Sequence, residues 1–239
     1  GMSTEEEMDL AIETLRKYGA SDIAILHCNS GYPAHFEEAN LRTIPVLAEK
    51  YKAISGLSDH TLFADVNNYE HPMSHVAPLE AVKLGAKIIE VHLMLDRTHS
   101  RALFDKDEGG FDWAFSREPA EFFKMVKMIR AYEAGEKVTY DTQLERKMAK
   151  ATHGVVNFEP TAKEKGNRQY RPTLWVVENI KAGETFNFCG GNPGNFDSIR
   201  PGGGLPIKFT DEIQGQKATR NIQAGQPISW DMINIELPK

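Results

Sequence analysis

The chain has 239 residues, 41% hydrophobic and 26% charged, with a formal net charge of −6. That is soluble-globular composition, enough for one large or two small domains, and it argues against wholesale disorder and against nucleic acid as the main partner. No stretch approaches the ~20 apolar residues of a membrane-spanning helix. The acidic start, Gly1 to Glu7, lacks a signal-peptide pattern, and two widely separated cysteines, Cys28 and Cys189, read as reduced thiols of a cytoplasmic protein.

Ser3 and Glu6 have capping-box spacing, so a helix is expected from the start of the chain, with Leu10, Ala11, Thr14, Leu15 and Tyr18 at helical period and Gly19 as its stop. Residues 23–28 form a short apolar run, read as a buried strand. Residues 37–51 are helical, with Leu41, Ile44, Leu47 and Ala48 on one face. Residues 53–57 are a second strand, followed by a His-rich loop. Residues 74–84 are a helix ended by Gly85, and 86–93 (AKIIEVHL) are the third strand. Residues 96–115 read as a long Gly- and charge-rich loop. Residues 117–134 read as an amphipathic helix that buries Phe122, Phe123, Val126 and Ile129.

Alternating helices and strands predict a parallel α/β layer. Three strands cannot close an eight-stranded barrel, which takes ~250 residues. Residues 136–168 are polar and Lys-rich and read as a linker or exposed helix. Beyond them Leu174–Val177 looks like a strand, and Gly and Pro cluster at 190–206. Asn179-Ile180-Lys181-Ala182-Gly183 is echoed by Asn221-Ile222-Gln223-Ala224-Gly225, which predicts two similar turns in one small β-rich domain. Residues 1–160 are net acidic and 161–239 net basic, so an anion-facing arginine belongs to the second part.

In parallel α/β folds, functional side chains project from the C-terminal ends of strands. The three ends here are His27-Cys28-Asn29-Ser30-Gly31-Tyr32-Pro33, Gly56-Leu57-Ser58-Asp59-His60-Thr61 and Glu90-Val91-His92. His60 and His92, on neighbouring strands, could hold a divalent metal such as manganese or zinc with open positions, or could simply bond loop carbonyls. Glu90 interrupts an apolar strand. As a buried carboxylate it would need a partner, and by alternation it shares a face with His92. His27, His35, His71, His75, His99 and His153 lack a comparable pairing and read as loop or core residues. Arg200 sits on a Pro-Gly turn suited to planar or anionic groups. No P-loop, dinucleotide fingerprint or nucleophile elbow occurs.

Taken in order, these motifs together with Asn40-Leu41 and Asp112-Trp113-Ala114-Phe115-Ser116 resemble the second half of the sialic acid synthase (N-acetylneuraminate synthase) barrel. The tail from about Arg168, with Ile199-Arg200-Pro201-Gly202, resembles that family's SAF (antifreeze-like, β-clip) domain. The resemblance implies an α/β fold in which a partial (β/α) TIM barrel of about three strands (residues 1–135) is followed by a linker (136–167) and a small β-rich SAF domain (168–239). It implies a transferase that condenses phosphoenolpyruvate with an N-acetylated amino sugar such as N-acetylmannosamine. Water is consumed, phosphate leaves, and a nine-carbon 2-keto acid forms for surface polysaccharide biosynthesis.

The same resemblance implies site roles. His60 and His92 would ligate a divalent metal, manganese first, with magnesium or zinc as alternatives. Ser30 and Ser58 would contact phosphoenolpyruvate, and Tyr32 and Asp112 the sugar hydroxyls. Glu90 would transfer a proton or orient a neighbour. Arg200 would reach the sugar's N-acetyl group in the partner subunit of a domain-swapped homodimer. The family's first barrel strands, with an early glutamate and phosphate-binding groups, have no counterpart here. A fragment, a truncated product, or half a barrel completed by another chain is therefore expected. The segment 96–111 is longer than the family's usual link, and Trp113 stands where a small or polar residue is common; both bear on sugar choice. The alternative is a non-catalytic carbohydrate-binding or dimerising module. A Schiff-base aldolase would need a strand-end lysine, and none is present.

Overall fold

The computed structural model describes residues 1–65, 67 and 69–234. The chain divides into two units, Gly1–Lys165 and Gly166–Lys239.

In the first unit, β1 (Ala24–Cys28), β2 (Ile54–Asp59) and β3 (Ile88–Val91) form a parallel sheet in that order. The register sets His27 opposite Leu57 and Ser58 opposite Glu90. Parallel neighbours need crossovers. These are supplied by α2 (Thr43–Tyr51) and α3 (Val76–Lys83), with α1 (Glu5–Lys17) leading into β1. Leu41, Ile44, Leu57, Ala77, Ala81 and Ala86 form the core beneath the sheet. Small residues on α3 let that helix lie close to β2. Gly56 is required at the sheet centre: a Cβ there would meet the Ile88 carbonyl oxygen at 2.3 Å and a Leu26 methyl at 2.6 Å.

Several expectations need correction. The cap of α1 is Thr4, whose hydroxyl accepts from the Glu7 amide at 3.3 Å while Glu7 accepts from the Thr4 amide at 2.9 Å. The box is therefore shifted one residue from Ser3 and Glu6. The helix expected over 37–51 is split into a 3-10 turn (Phe36–Glu38) and α2, with Asn40 at φ +47° between them. The loop expected over 96–115 contains α4 (Arg97–Phe104), capped by Asp96. Within α5 (Pro119–Glu133) it is Met125 that is fully buried, while Phe122 and Phe123 are exposed. Val126 and Ile129, the other two residues of the expected face, are half-buried.

The linker expected over 136–167 is largely helical. Thr142 and Glu145 close a capping box that starts α6 (Gln143–His153). Met148 and Ala149 of α6 pack on Phe36, Met73 and Val76. Among many lysines the apolar period is carried by few residues, so the pattern reads as exposed although the helix buries a face. A short α7 (Ala162–Asn167) follows. β3 alternates exposed and half-buried residues, while β2, flanked on both sides, is buried from Ser55 to Asp59. Glu90 is accordingly exposed, contrary to the buried carboxylate expected from its apolar neighbours.

In the second unit, β4 (Thr173–Val176) pairs antiparallel with β5 (Phe196–Ile199), and β6 (Lys217–Ala218) with β7 (Ile233–Asn234). The core includes Leu174, Val176, Ile180, Phe186, Phe196 and Ile222. The echoed pentapeptides face each other. Ile180 and Ile222 exchange backbone bonds at 2.9 and 2.8 Å. Asn221 accepts from the Ala182 amide and Asn179 from the Ala224 amide, at 2.8 and 2.9 Å. Gly183 and Gly225 take φ of +81° and +85°, which only glycine adopts without cost.

Candidate active site

The C-terminal ends of β1, β2 and β3, with the turn Asp112–Arg117, form one polar rim in the first unit. Ser58 donates its hydroxyl hydrogen to Glu90 Oε1 at 2.5 Å, across the register that pairs the two residues. The ring centroids of His60 and His92 lie 5.1 Å apart. Tyr32 packs at 4.4 Å from His60.

All three rings rest on Phe115, at centroid distances of 5.1 Å (Tyr32), 5.5 Å (His60) and 5.0 Å (His92). Phe115 is 2% exposed. It is a rigid apolar floor, held by edge-to-face contacts with both imidazoles.

Each imidazole has a neighbour at Nδ1. Cys28 Sγ is 3.6 Å from His60 Nδ1, and Asp112 Oδ2 is 3.4 Å from His92 Nδ1. Burial, and then the proximity of His60, lower the pKa of His92, which favours the neutral ring. Burial alone would raise the Cys28 thiol, but contacts with His60, the Gly1 amino group and Ser30 bring it down to about 7. Burial raises the Tyr32 phenol, against a hydrogen bond from Ser30.

Behind the rim lies a buried ion pair. Asp59 Oδ2 accepts from Arg117, and Asp59 Oδ1 accepts from the Thr61 amide at 2.9 Å. Arg117 is 0% exposed and also donates to the carbonyls of Ser74 and Phe115 at 2.9 and 3.1 Å. Its backbone amide donates to the His92 carbonyl at 2.9 Å. Arg117 thus ties the end of β2 and the floor residue through its guanidinium and the end of β3 through its backbone amide.

Of the residues singled out from sequence, the structure brings Tyr32, Ser58, His60, Glu90, His92 and Asp112 to this rim. Ser30, buried at the end of β1, joins them through its contact with Cys28 at 3.5 Å. Arg200 belongs to the second unit, where its Nε donates to the Tyr170 carbonyl at 2.8 Å. Phe115, Asp59 and Arg117 escape a sequence reading. Asp59 and Arg117 both lie among polar neighbours in the sequence, 58 residues apart, so no local pattern pairs them. His75 and His153 also have carboxylate neighbours, Glu145 at 3.1 Å and Glu80 at 2.7 Å, on the α3–α6 side of the unit.

Among the described residues no group of three or more His, Cys, Asp or Glu side chains is arranged to hold a metal ion. The donor chemistry at the rim nonetheless fits a cation bound by two imidazoles with its remaining positions open. Both Nδ1 atoms already have partners, which leaves Nε2 on each ring as the donor.

The NeuB family model matches residues 1–139 and the SAF domain model matches residues 171–234. Pseudaminic acid synthase from Campylobacter jejuni is 30% identical over 228 residues, 95% of this chain and 54% of that protein. The spore coat polysaccharide biosynthesis protein SpsE from Bacillus subtilis is 34% identical over 231 residues, 95% of this chain and 55% of that protein. The crystal structure of Bacillus subtilis SpsE matches with a TM-score of 0.74 at 29% identity, covering 99% of this chain and 60% of that one. The chain spans about half the length of the curated relatives it matches.

Proposed function

The chain belongs to the NeuB family and carries a SAF domain, and from that premise we propose that its polar rim is part of a nonulosonate synthase site. The reaction joins phosphoenolpyruvate to the open-chain aldehyde of an N-acetylated amino sugar. C3 of the enolate carbon pair attacks the aldehyde carbon, water adds at C2, and the C2–O bond to phosphate is broken. The products are inorganic phosphate and a nine-carbon 2-keto acid. The observation that carries the reading is the pair of imidazoles, 5.1 Å apart on Phe115, beside the Ser58–Glu90 hydrogen bond.

The residues divide the work by chemistry. Ser30 and Ser58 offer hydroxyls to the oxygens of phosphoenolpyruvate. Tyr32 and Asp112 are exposed enough to meet sugar hydroxyls. Glu90, with Oε1 held by Ser58, has Oε2 left to take or give a proton at the aldehyde-derived oxygen or the attacking water. His60 and His92 would hold a divalent cation, manganese by preference, which would polarise the aldehyde oxygen. Phe115 fixes both rings so that they need not reorganise as charge develops.

Arg200, on its Pro-Gly turn, is proposed to meet the N-acetyl group of a sugar in the partner subunit of a homodimer. A cytoplasmic setting agrees with two free cysteines and with the absence, among the described residues, of a helix long and apolar enough to cross a membrane.

The test is phosphate release. The chain is incubated with manganese, phosphoenolpyruvate and N-acetylmannosamine or related diacetamido sugars, alone and with a polypeptide supplying the remaining barrel strands of a relative. Sugar-dependent phosphate release in either mixture supports the reading. Sugar binding without release in both mixtures would favour a non-catalytic carbohydrate-binding module.

A further inference from the structure

The loop that carries Ser30 and Tyr32 is held from a segment 130 residues further along the chain. Glu164, 4% exposed, divides its carboxylate between two tasks. Oε2 accepts from the Thr161 amide at 2.9 Å and the Thr161 hydroxyl at 3.0 Å, closing the first turn of α7. Oε1 accepts from the Ser30 amide, and also from the Met2 amide, both at 2.9 Å. Beside it, Lys163 donates to the Pro33 carbonyl at 2.9 Å. The aliphatic stem of Lys163 lies on Gly31, where a Cβ would come within 3.3 Å of two of its carbons. Burial raises the Glu164 pKa, but the donors around it outweigh burial and keep it below the usual carboxylate range.

We infer that Glu164 and Lys163 are positioning residues that fix the Asn29–Pro33 loop, and with it Ser30 and Tyr32, in the geometry the site uses. The loop is gripped at Ser30 N–H, on the face of Gly31 and at the Pro33 carbonyl. Tyr32, between the grips, has its ring set against His60 and Phe115. A loop released at Ser30 would move a hydroxyl and a phenol together, and displacement of an ångström at such groups weakens productive binding. The inference rests on the synthase reading for the identity of the ligand, but not for the mechanics of the loop.

The bland alternative is that Glu164 only caps α7, and two substitutions separate the readings. Glutamine at 164 has one acceptor oxygen and turns an amide donor toward N–H groups, so Glu164→Gln can serve the cap or the loop but not both. Thr161→Ala removes the cap hydroxyl and leaves the Ser30 contact. Both variants of the full chain are followed by amide hydrogen exchange of residues 29–33 and by the KM for phosphoenolpyruvate in manganese-dependent phosphate release.

We expect Glu164→Gln to speed exchange across the loop and raise KM about three- to tenfold with kcat nearly unchanged, and Thr161→Ala to leave both readouts at wild type while lowering the melting temperature. Lys163→Met should loosen the Pro33 end in the same direction, and serves if Glu164→Gln fails to fold. Unchanged loop exchange in Glu164→Gln, or equal effects in Thr161→Ala, would overturn the inference. KM is read in whichever of the two mixtures described above releases phosphate; if wild type releases none in either, the synthase reading fails and exchange alone decides the clamp.

Discussion

His60 and His92 stand with ring centroids 5.1 Å apart and planes tilted by 55°, each one residue beyond the end of one of two neighbouring parallel strands. On the proposed reading these two imidazoles, each with an Nδ1 neighbour, would share a cation. His60→Ala should therefore abolish manganese binding measured by electron paramagnetic resonance, and His92→Ala should do the same. Retention of wild-type binding by either variant would show that the rings are only packed side chains.

The floor under those rings should matter to binding more than to folding when its bulk is kept. Phe115→Leu preserves an apolar side chain and should cost about 1–2 kcal/mol of stability. Without the flat face, Tyr32, His60 and His92 lose their common support, so manganese affinity and turnover should fall further than stability does. Denaturant unfolding and metal titration on one preparation make the comparison, and equal losses in both would count against the floor.

The Asp59–Arg117 pair is fully buried, and each partner has further hydrogen bonds that depend on the other staying in place. Arg117→Met leaves a buried carboxylate without its cation and should cost roughly 3–5 kcal/mol. The double variant Asp59→Asn with Arg117→Met should be less damaging than the two single losses added together. Urea unfolding of the four proteins gives the coupling energy. Simple additivity would mean that the pair is not energetically linked.

His75 gives the first unit a pH dependence of definite sign. Burial, then the charge of Lys124, push its pKa down to about 4, against the opposing pull of Glu145 and Asp141. Its Nε2 lies 3.1 Å from Glu145 Oε1, yet the geometry makes no hydrogen bond. The unfolded chain takes up this proton near pH ~6.5, well before the folded chain does. The contribution is thus fully present above ~6.5 and is lost as pH falls toward about 4, at up to ~1.4 kcal/mol per pH unit. Wild type should lose stability between pH 7 and pH 5 faster than His75→Gln. Identical slopes in denaturant unfolding would show that His75 does not titrate with folding.

The amino-acid sequence by itself determined the short-range features. The β1, β2 and β3 runs and the paired turns at Asn179 and Asn221 follow from patterns within a few residues, where side-chain period and turn geometry decide. The strand-end motifs were legible for the same reason, because strand direction alone places their polar residues at one rim.

Tertiary structure decided what depends on neighbours. Glu90 reads as buried within AKIIEVHL, yet it is exposed because β3 alternates exposed and half-buried residues, where β2, flanked by strands on both sides, is covered. Arg117 finds Asp59 across 58 residues, and Glu164 finds Ser30 across 134. No local pattern encodes such pairings. They exist because the register of parallel strands and the return of α7 bring distant backbone groups within hydrogen-bonding range, where a buried charge must be matched.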